Sequence, residues 1–328
     1  MANKKKKILI IRLGAIGDVV HTTIIPKAIK NKYPDYEIHY LTQNEIAPIL
    51  DNNPYIDKVI PMVTKKKKDN KYLLELGCEL FKERYDIVFC LTNALRNMFF
   101  AAMCLPKRIV LKSADKQSWV ENFFNTAKKV FKDIELPYSL TLGLNRSADE
   151  KITEYIEEYP KPYTIIVPGG GTDGNRQGRI WNINNWKKLS DKILSEYGGT
   201  VFVCGGKSEK KFHQQLQGDN IVITSGEFNL GESSALLSKA DLVISGDTGP
   251  AHIASAQGVR VLALLGSTSP DKIKPYGNNG YYISSDYDCK YCWKKKCKLL
   301  KAGERYTPCM ETLTPEQVFD FVKSNNLL

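Results

Sequence analysis

The stretch that decides the fold class runs from residue 241 to residue 270: D-L-V-I-S-G-D-T-G-P-A-H-I-A-S-A-Q-G-V-R-V-L-A-L-L-G-S-T-S-P. Its first apolar run, at 242–244, is bounded by polar residues, as in a strand covered on both faces of a parallel sheet. A polar turn and a helix of small residues follow, and a second apolar run at 261–265 predicts the next strand. This order is typical of an α/β protein with a parallel sheet.

The helix of this stretch opens on Asp247, Thr248 and Gly249. Pro250 is expected at the first helical position, where the N–H that proline lacks would have no partner. Open α/β sheets bind ligands at the carboxyl ends of their strands, and the free N–H groups of a helix start attract anions. The loop at 266–270, G-S-T-S-P, is expected at the same edge. The stretch therefore predicts a site for a phosphate-bearing small molecule.

Length and composition are those of a globular protein of about two domains. The chain has 328 residues, of which 42% are hydrophobic and 25% charged. No apolar run approaches the roughly 20 residues of a membrane span. The apolar run at 8–11 ends at Arg12, so it predicts a first strand rather than the longer core of a signal peptide. We therefore expect a cytoplasmic protein.

The chain is basic, with 47 Lys and Arg against 36 Asp and Glu and a formal net charge of +11. Lysines cluster at 4–7, at 65–68 and between 290 and 301. Such clusters are either solvated surface or attraction to a polyanion, such as a phosphorylated glycolipid, the inner face of a membrane or nucleic acid. Because no nucleic-acid motif accompanies the charge, no nucleic-acid partner is expected.

Apolar runs and helical periodicities alternate along the rest of the chain. Strands are predicted at 7–13, 37–42, 57–62, 86–91, 108–111, 163–168, 200–204 and 221–224, and helices at 19–33, 72–83, 93–104, 147–159, 184–197, 207–216 and 232–239. This alternation predicts doubly wound parallel sheets. Because P-K-P at 160–162 interrupts the pattern, which then restarts, we expect two Rossmann-like domains, 1–160 and 161–328, that face a central cleft.

A closing helix is predicted at 314–327. Thr314 is a plausible N-cap, Pro315 follows at the first helical position, and Gln317 at the third completes a capping box.

Three stretches together resemble glycosyltransferase family 9, the heptosyltransferase-type enzymes. They are I-L-I-I-R-L-G-A-I-G-D-V-V-H-T-T-I-I-P at 8–26, V-P-G-G-G-T at 167–172 with Arg179-Ile-Trp181 and Trp186 beyond it, and the stretch at 245–270. The resemblance implies the two-domain GT-B fold, with acceptor binding in the first domain and nucleotide-sugar binding in the second, and a closing helix that returns to the first domain. It also implies a cytoplasmic, inverting transfer from a nucleotide diphosphate sugar without an organic cofactor. ADP-heptose is the usual donor, and the acceptor is a lipopolysaccharide core or, in some members, a protein.

Asp18 matches the family's proposed general base by position. An inverting transfer needs a group that takes the proton of the acceptor hydroxyl, and Asp18 follows the first strand directly. The alternative is that Asp18 only complements the dipole of the following helix. Gly17 and Arg12 are the candidate acceptor-binding residues, and Arg12 either binds an acidic acceptor or pairs with a carboxylate.

The candidate donor-binding residues fall in three loops that follow predicted strands. They are Gly169, Gly170, Gly171, Thr172, Arg179, Gly205, Glu209, Asp247, Thr248, Gly249, Pro250 and His252. The N–H groups at 248–251 would stabilise the charge of the leaving diphosphate. Arg179 is the candidate cation on the phosphates, with Arg176 as its rival, and Glu209 is the candidate for the ribose hydroxyls. Asp247 is expected either to hold the turn or to meet a sugar hydroxyl.

The eight cysteines form two groups. Cys78, Cys90, Cys104 and Cys204 are scattered through predicted elements and are expected to be buried free thiols. The others, Cys289, Cys292, Cys297 and Cys309, have the spacing C-x2-C-x4-C-x11-C near the C-terminus. Four thiols in a loop suit tetrahedral zinc or iron. Reduced thiols without a metal, or redox pairs, are the alternatives.

Three other function classes remain open from the sequence. A nucleotide-sugar epimerase or hydrolase of the same fold would turn over its nucleotide sugar without an acceptor, and a binding protein would not need Asp18. A dinucleotide oxidoreductase is disfavoured, because the full G-x-G-x-x-G turn is absent and the nearest acid, Glu37, lies at the start of the second strand rather than its end.

Overall fold

The computed structural model describes residues 5–113, 118–169, 177–294, 296–301 and 303–328. The chain divides between Asn145 and Arg146 into two compact units. Among the described residues, no helix combines the length and the apolar composition that crossing a bilayer requires.

The first unit is built on a five-stranded parallel sheet with the order β3-β2-β1-β4-β5. Its strands are β1 (Lys7–Ile11), β2 (Glu37–Gln43), β3 (Lys58–Met62), β4 (Ile87–Cys90) and β5 (Arg108–Leu111). Residues 8–11 of the central strand β1 are fully buried, as expected for a strand with helices on both faces. The strand order reverses between β1 and β4, which is where open sheets of this kind bind ligands.

Two layers of helices cover this sheet. The helices are α1 (Ile16–Thr22), α2 (Ile24–Lys32), α3 (Asn70–Glu83), α4 (Leu95–Met103) and α5 (Trp119–Lys128). Helix α5 packs against α1 and α2, and α3 packs against α4. The prediction of a single helix at 19–33 is wrong. The structure has two helices there, and the helical hydrogen bonding is interrupted at Thr23, between α1 and α2. Pro26 has no N–H to donate to the carbonyl of Thr22, so one helix cannot continue through it.

The second unit has a six-stranded parallel sheet with the order β11-β10-β9-β6-β7-β8. Its strands are β6 (Tyr163–Val167), β7 (Thr200–Val203), β8 (Ile221–Ile223), β9 (Leu242–Gly246), β10 (Arg260–Leu265) and β11 (Gly280–Ser284). Read from β8, this is the strand order of a dinucleotide-binding Rossmann sheet, and its switch point lies between β6 and β9. The two parallel strands of the deciding stretch, β9 and β10, are neighbours in register.

Eight helices accompany the second sheet in the described chain. They are α6 (Arg146–Ile156), α7 (Ile183–Tyr197), α8 (Lys210–His213), α9 (Leu230–Ser238), α10 (Gly249–Ala256), α11 (Pro270–Ile273), α12 (Pro308–Glu311) and α13 (Pro315–Ser324). Helix α6 packs against α9. The unit boundary therefore precedes α6, earlier than the position after residue 160 that the sequence predicts.

The closing helix α13 begins with the capping box expected at Thr314 and Gln317. It packs against α7, and its residues Val318 and Val322 lie in the apolar core of the second unit. The indole N–H of the buried Trp181 donates to the carbonyl of Leu313, 2.8 Å away, just before this helix. The apolar face of α13 is thus used in the second unit, not in the first as expected.

Candidate functional site

The first candidate site begins at the turn that leaves β1. Gly14 and Ala15 both have positive φ, 149° and 47°, so the chain reverses tightly before α1 starts at Ile16. Glycine adopts such angles without steric cost. The turn places Asp18 in the first turn of α1, at the carboxyl end of the central strand and beside the partly exposed Gly17.

Asp18 is paired with Arg12, whose Nη2 contacts Oδ2 of the carboxylate. The Nη1 group of Arg12 donates to the carbonyl of Leu91, 2.7 Å away, at the end of β4. One guanidinium therefore links the two strands at the switch point and orients the carboxylate. The Asp18 side chain is still 30% exposed, so it remains accessible from solvent. This pairing with a carboxylate is one of the two roles expected for Arg12.

A cavity of about 390 Å³ adjoins this ion pair. It is lined by Arg12, Leu91, Thr92, Asn93, Lys112, Ser113, Trp119 and Asn122. The ammonium group of Lys112 lies 4.1 Å from the ring centroid of Trp119. Burial lowers the pKa of Lys112, and the positive charge of Arg12 lowers it further. The cavity is therefore lined by two cationic side chains, Arg12 and Lys112, and by the ring of Trp119. This lining suits an acidic ligand.

The second candidate site lies at the carboxyl end of β9. Helix α10 starts at Gly249 with Thr248 as its N-cap, so Pro250 occupies the second helical position rather than the first. The Thr248 hydroxyl is 2.8 Å from the hydroxyl of Ser245 and does not cap the helix. The first turn of α10 is therefore left without a side-chain cap, as an anion site would require.

Asp247 holds Arg179 at this helix start. Its Oδ2 atom lies 2.6 Å from Nη2 of Arg179, and both side chains are largely buried. Nη1 of Arg179 also donates to the backbone carbonyl of Asp247, 3.2 Å away. Nε2 of the buried His252 lies 3.9 Å from the other carboxylate oxygen. The structure thus brings together three of the predicted donor residues, with Asp247 positioning the arginine.

Glu209 lies where the loops after β6 and β7 meet. A Cβ atom added to Gly169 would come within 1.8 Å of its Oε1 atom, and one added to Gly205 within 3.0 Å of its Oε2 atom. Oε2 also accepts the backbone N–H of Gly206 at 2.8 Å. The carboxylate therefore lies against both glycine loops, and a side chain at Gly169 would have to displace it. The predictions for Gly170, Gly171, Thr172 and Arg176 lie outside the described residues.

The cysteine-rich segment is hydrogen-bonded to the loop after β10. The backbone N–H of Tyr291 donates to Gly266, and that of Trp293 donates to Ser267 at 2.8 Å. The Trp293 ring centroid is 6.0 Å from the guanidinium carbon of Arg179. Neither Lys112 nor Trp293 was among the predicted site residues. Lys112 could have been predicted as a site residue, because it comes just after a strand. Nothing in the sequence places Trp293 beside Arg179.

Cys309, the last of the four clustered cysteines, lies in α12. Burial raises the pKa of the Cys309 thiol, and the nearby Cys289, Cys297 and Cys292 raise it further. Within the described part of the chain, the potential metal ligands whose donor atoms all lie within 4.8 Å of one another are not these cysteines. They are Glu37, His39 and Glu83.

That acidic group belongs to an ion-pair network in the first unit. Lys58 and Lys7 both bond Glu83 and hold the pKa of its carboxyl at about 2. Of the scattered cysteines, Cys90, Cys104 and Cys204 are buried as expected, whereas Cys78 is exposed.

Comparison with known proteins gives a family. The model described as glycosyltransferase family 9 (heptosyltransferase) matches residues 73–302. Lipopolysaccharide heptosyltransferase 1 of Campylobacter coli is 25% identical over 349 residues, which cover 97% of this chain and 98% of that protein.

Solved structures share the fold over the whole chain. The glycosyl transferase family 9 protein of Veillonella parvula matches with a TM-score of 0.84 at 19% identity, over 99% of this chain and 98% of its own. TibC of enterotoxigenic Escherichia coli, an iron-containing dodecameric heptosyltransferase solved with ADP-D-beta-D-heptose, matches with a TM-score of 0.62 at 13% identity, over 99% of this chain and 78% of its own.

Proposed function

The chain belongs to glycosyltransferase family 9 and is a glycosyl-transferring enzyme, and on that premise we propose that it moves a heptose from ADP-heptose to a hydroxyl of a lipopolysaccharide core or similar glycan. The observation that carries the proposal is the Arg12–Asp18 pair at the β1/β4 switch point. The guanidinium holds a partly exposed carboxylate in one orientation, which supports its use as a general base. The name of the Campylobacter coli relative supports the choice of acceptor.

In the proposed reaction, Asp18 accepts the proton of the acceptor hydroxyl as its oxygen attacks the anomeric carbon of the donor. The bond between that carbon and the diphosphate oxygen breaks, and ADP leaves with the electron pair. The new bond forms on the opposite face of the sugar, which inverts the anomeric configuration. Arg12, Gly17 and Lys112 would lie on the acceptor side, and the two cations favour an acceptor that carries negative charge.

The second unit would bind the donor. The uncapped first turn of α10, from Thr248 to Ala251, offers N–H groups to a diphosphate. Arg179 supplies the cation, held in place by Asp247, and His252 lies within the same turn. Glu209, beside the two glycine loops, is placed where it could accept ribose hydroxyls. The TibC structure, which was solved with ADP-D-beta-D-heptose, supports the choice of donor.

A thermal-shift panel tests the donor assignment. The melting temperature is measured with ADP, GDP, UDP, CDP and NAD, and then with ADP-heptose. We expect ADP to stabilise the protein selectively, by about 2.7 kcal/mol when it is present at a hundredfold excess over its Kd. ADP-heptose at the same concentration should stabilise the protein more. A preference for GDP or UDP would keep the fold and the transfer but overturn the heptose donor. No stabilisation by any nucleotide would overturn the enzyme's proposed donor site altogether.

We also propose that Cys289, Cys292, Cys297 and Cys309 hold one structural zinc or iron ion. Four thiolates suit either metal, and the other three cysteines lie near enough to Cys309 to raise the pKa of its thiol. Because Tyr291 and Trp293 of this segment bond the loop after β10, an ion here would fix that loop next to the donor site. TibC, which is iron-containing, is a distant precedent.

Metal analysis of purified, chelator-free protein tests this proposal. We expect about one zinc or iron per chain, retained in Cys78→Ser and lost in Cys289→Ser. Cys78 is the matched control because it is exposed, as Cys289 is, but lies far along the chain in α3. Absence of metal from the unmodified protein, or equal metal in both variants, would contradict the proposal.

We propose that the enzyme acts in the cytoplasm and meets its acceptor at the inner face of the membrane as a peripheral protein. The formal net charge of +11 supports attraction to anionic lipid.

A further inference from the structure

One side of helix α4 and the edge strand beside it expose apolar side chains. On α4 and the residues that follow it, Leu95, Met98, Ala102 and Leu105 recur at intervals of three and four and are exposed. Leu95 is 85% and Leu105 76% exposed. The edge strand β5 adds two more exposed residues. We call this surface, formed by Leu95, Met98, Ala102, Leu105, Ile109 and Leu111, the α4–β5 face.

The concentration of these residues is unusual for a water-facing surface. Twelve large apolar side chains are exposed in the described part of the chain, and five of them lie between residues 95 and 111. Single exposed apolar residues need no explanation, whereas a contiguous patch marks an interaction surface. Since α3 packs against α4 on its other side, the α4–β5 face is not needed for the core of the unit.

The charges around the face favour one kind of partner. Residues 87–113 contain four basic residues, Arg96, Lys107, Arg108 and Lys112, and no acidic residue. Lys107 pairs with Asp86 just outside this range but is still 83% exposed. The ammonium of Lys129 donates to the carbonyl of Leu111, which adds a further cation at the edge strand. Apolar side chains surrounded by an excess of cations match the acyl chains and headgroups of an anionic bilayer.

A second copy of the chain fits this face less well. In a symmetric dimer the same patch would meet itself, and its cations would then oppose one another. Basic residues on an edge strand also discourage strand pairing with another chain.

We infer that the α4–β5 face seats the first unit on an anionic lipid surface. This rests on the proposed function, in which the acceptor is a glycolipid of the membrane. Lys5 and Lys6, from the lysine cluster at 4–7, line one cavity together with Leu105 and Lys107, so this cluster adjoins the face. The face begins directly after Leu91, Thr92 and Asn93, which line the cavity beside Arg12 and Asp18. Seating at this face would therefore hold that cavity close to the lipid headgroups.

Vesicle sedimentation tests the inference. The full-length protein is mixed with phosphatidylcholine vesicles with or without phosphatidylglycerol. We expect binding to the anionic vesicles, weakened by salt, and a loss of about tenfold or more when Leu95→Glu and Leu105→Glu are combined, since two apolar contacts are lost and two repelling charges are added. Leu136→Glu, which changes an exposed leucine of the same unit outside the face, should bind like the unmodified protein.

Two further readouts separate the outcomes. Transfer to a deacylated, water-soluble acceptor should be unchanged in the double variant, because none of its residues lies in the proposed site. If the unmodified protein does not transfer heptose to this acceptor, the proposed function is overturned, but the vesicle result still stands. Equal vesicle binding by the double variant and the Leu136→Glu control would overturn the inference. The inference would also be overturned if the unmodified protein elutes as a dimer in size-exclusion chromatography and the double variant elutes as a monomer. The face would then join two copies of the chain.

Discussion

Replacing Asp18 with asparagine should lower kcat for transfer by about 10²- to 10⁴-fold, the usual contribution of a general base. The amide has nearly the shape of the carboxylate but cannot accept the acceptor's proton. Because Asp18 is partly exposed and its partner Arg12 keeps its bond to Leu91, the fold and the donor affinity should be nearly unchanged. The measurement is steady-state kcat and KM with ADP-heptose, together with the melting temperature.

Asp191→Asn is the matched control for this substitution. Asp191 also pairs with a cation, Lys187, on the exposed side of α7, and breaking a surface pair of this kind costs no more than about 1 kcal/mol. Its kcat should equal that of the unmodified enzyme. If Asp18→Asn also retained near-normal transfer with an intact fold, Asp18 would only complement the dipole of α1 and the proposed base would be wrong.

Replacing Arg179 with methionine should lower the free energy of unfolding by about 3–5 kcal/mol, because it leaves the charge of Asp247 buried without its partner. The Asp247 side chain is only 6% exposed, so its carboxylate has little access to water. Combining Arg179→Met with Asp247→Asn removes the buried charge and should recover most of that loss. Urea denaturation of the two single variants and the double variant measures the coupling between these residues.

Donor binding separates the two roles of this pair. If Arg179 is the cation on the diphosphate, ADP should bind weakly to both Arg179→Met and the double variant, even where stability returns. Lys323→Met, which breaks the exposed pair of Lys323 with Glu196, should change neither stability nor ADP affinity appreciably. Equal stability of Arg179→Met and the double variant would show that Asp247 does not depend on the arginine.

Much of the fold follows from short-range patterns in the sequence. The apolar runs that became β1 and β9 predicted buried parallel strands, and the order of Thr314, Pro315 and Gln317 predicted the start of the closing helix correctly. The comparison with the family model confirms the family that three stretches indicated. Helix α5 was missed, although Ser118 and Glu121 form a capping box before it, which is a signal that the sequence contains.

Features that depend on distant residues were not predictable. Arg179 and Asp247 are separated by 68 residues in sequence, so no local pattern shows that the acid holds the arginine. Lys112 and Arg12 line the same cavity only because β5 and β1 both flank β4 in the sheet. The apolar spacing of α4 predicts a helix, but a helix face exposed to solvent and one buried in a core have the same periodicity. Only the packing of α3 and α4 shows which side is left exposed.

The most direct test of the proposed function is a transfer reaction followed by mass spectrometry. The purified protein is incubated with ADP-heptose and a lipopolysaccharide core that lacks heptose, and ADP and the acceptor are both quantified. We expect an acceptor heavier by one heptose and an equal amount of ADP, with neither formed when the acceptor is left out. ADP released without a modified acceptor would contradict the account and indicate a nucleotide-sugar hydrolase on the same fold.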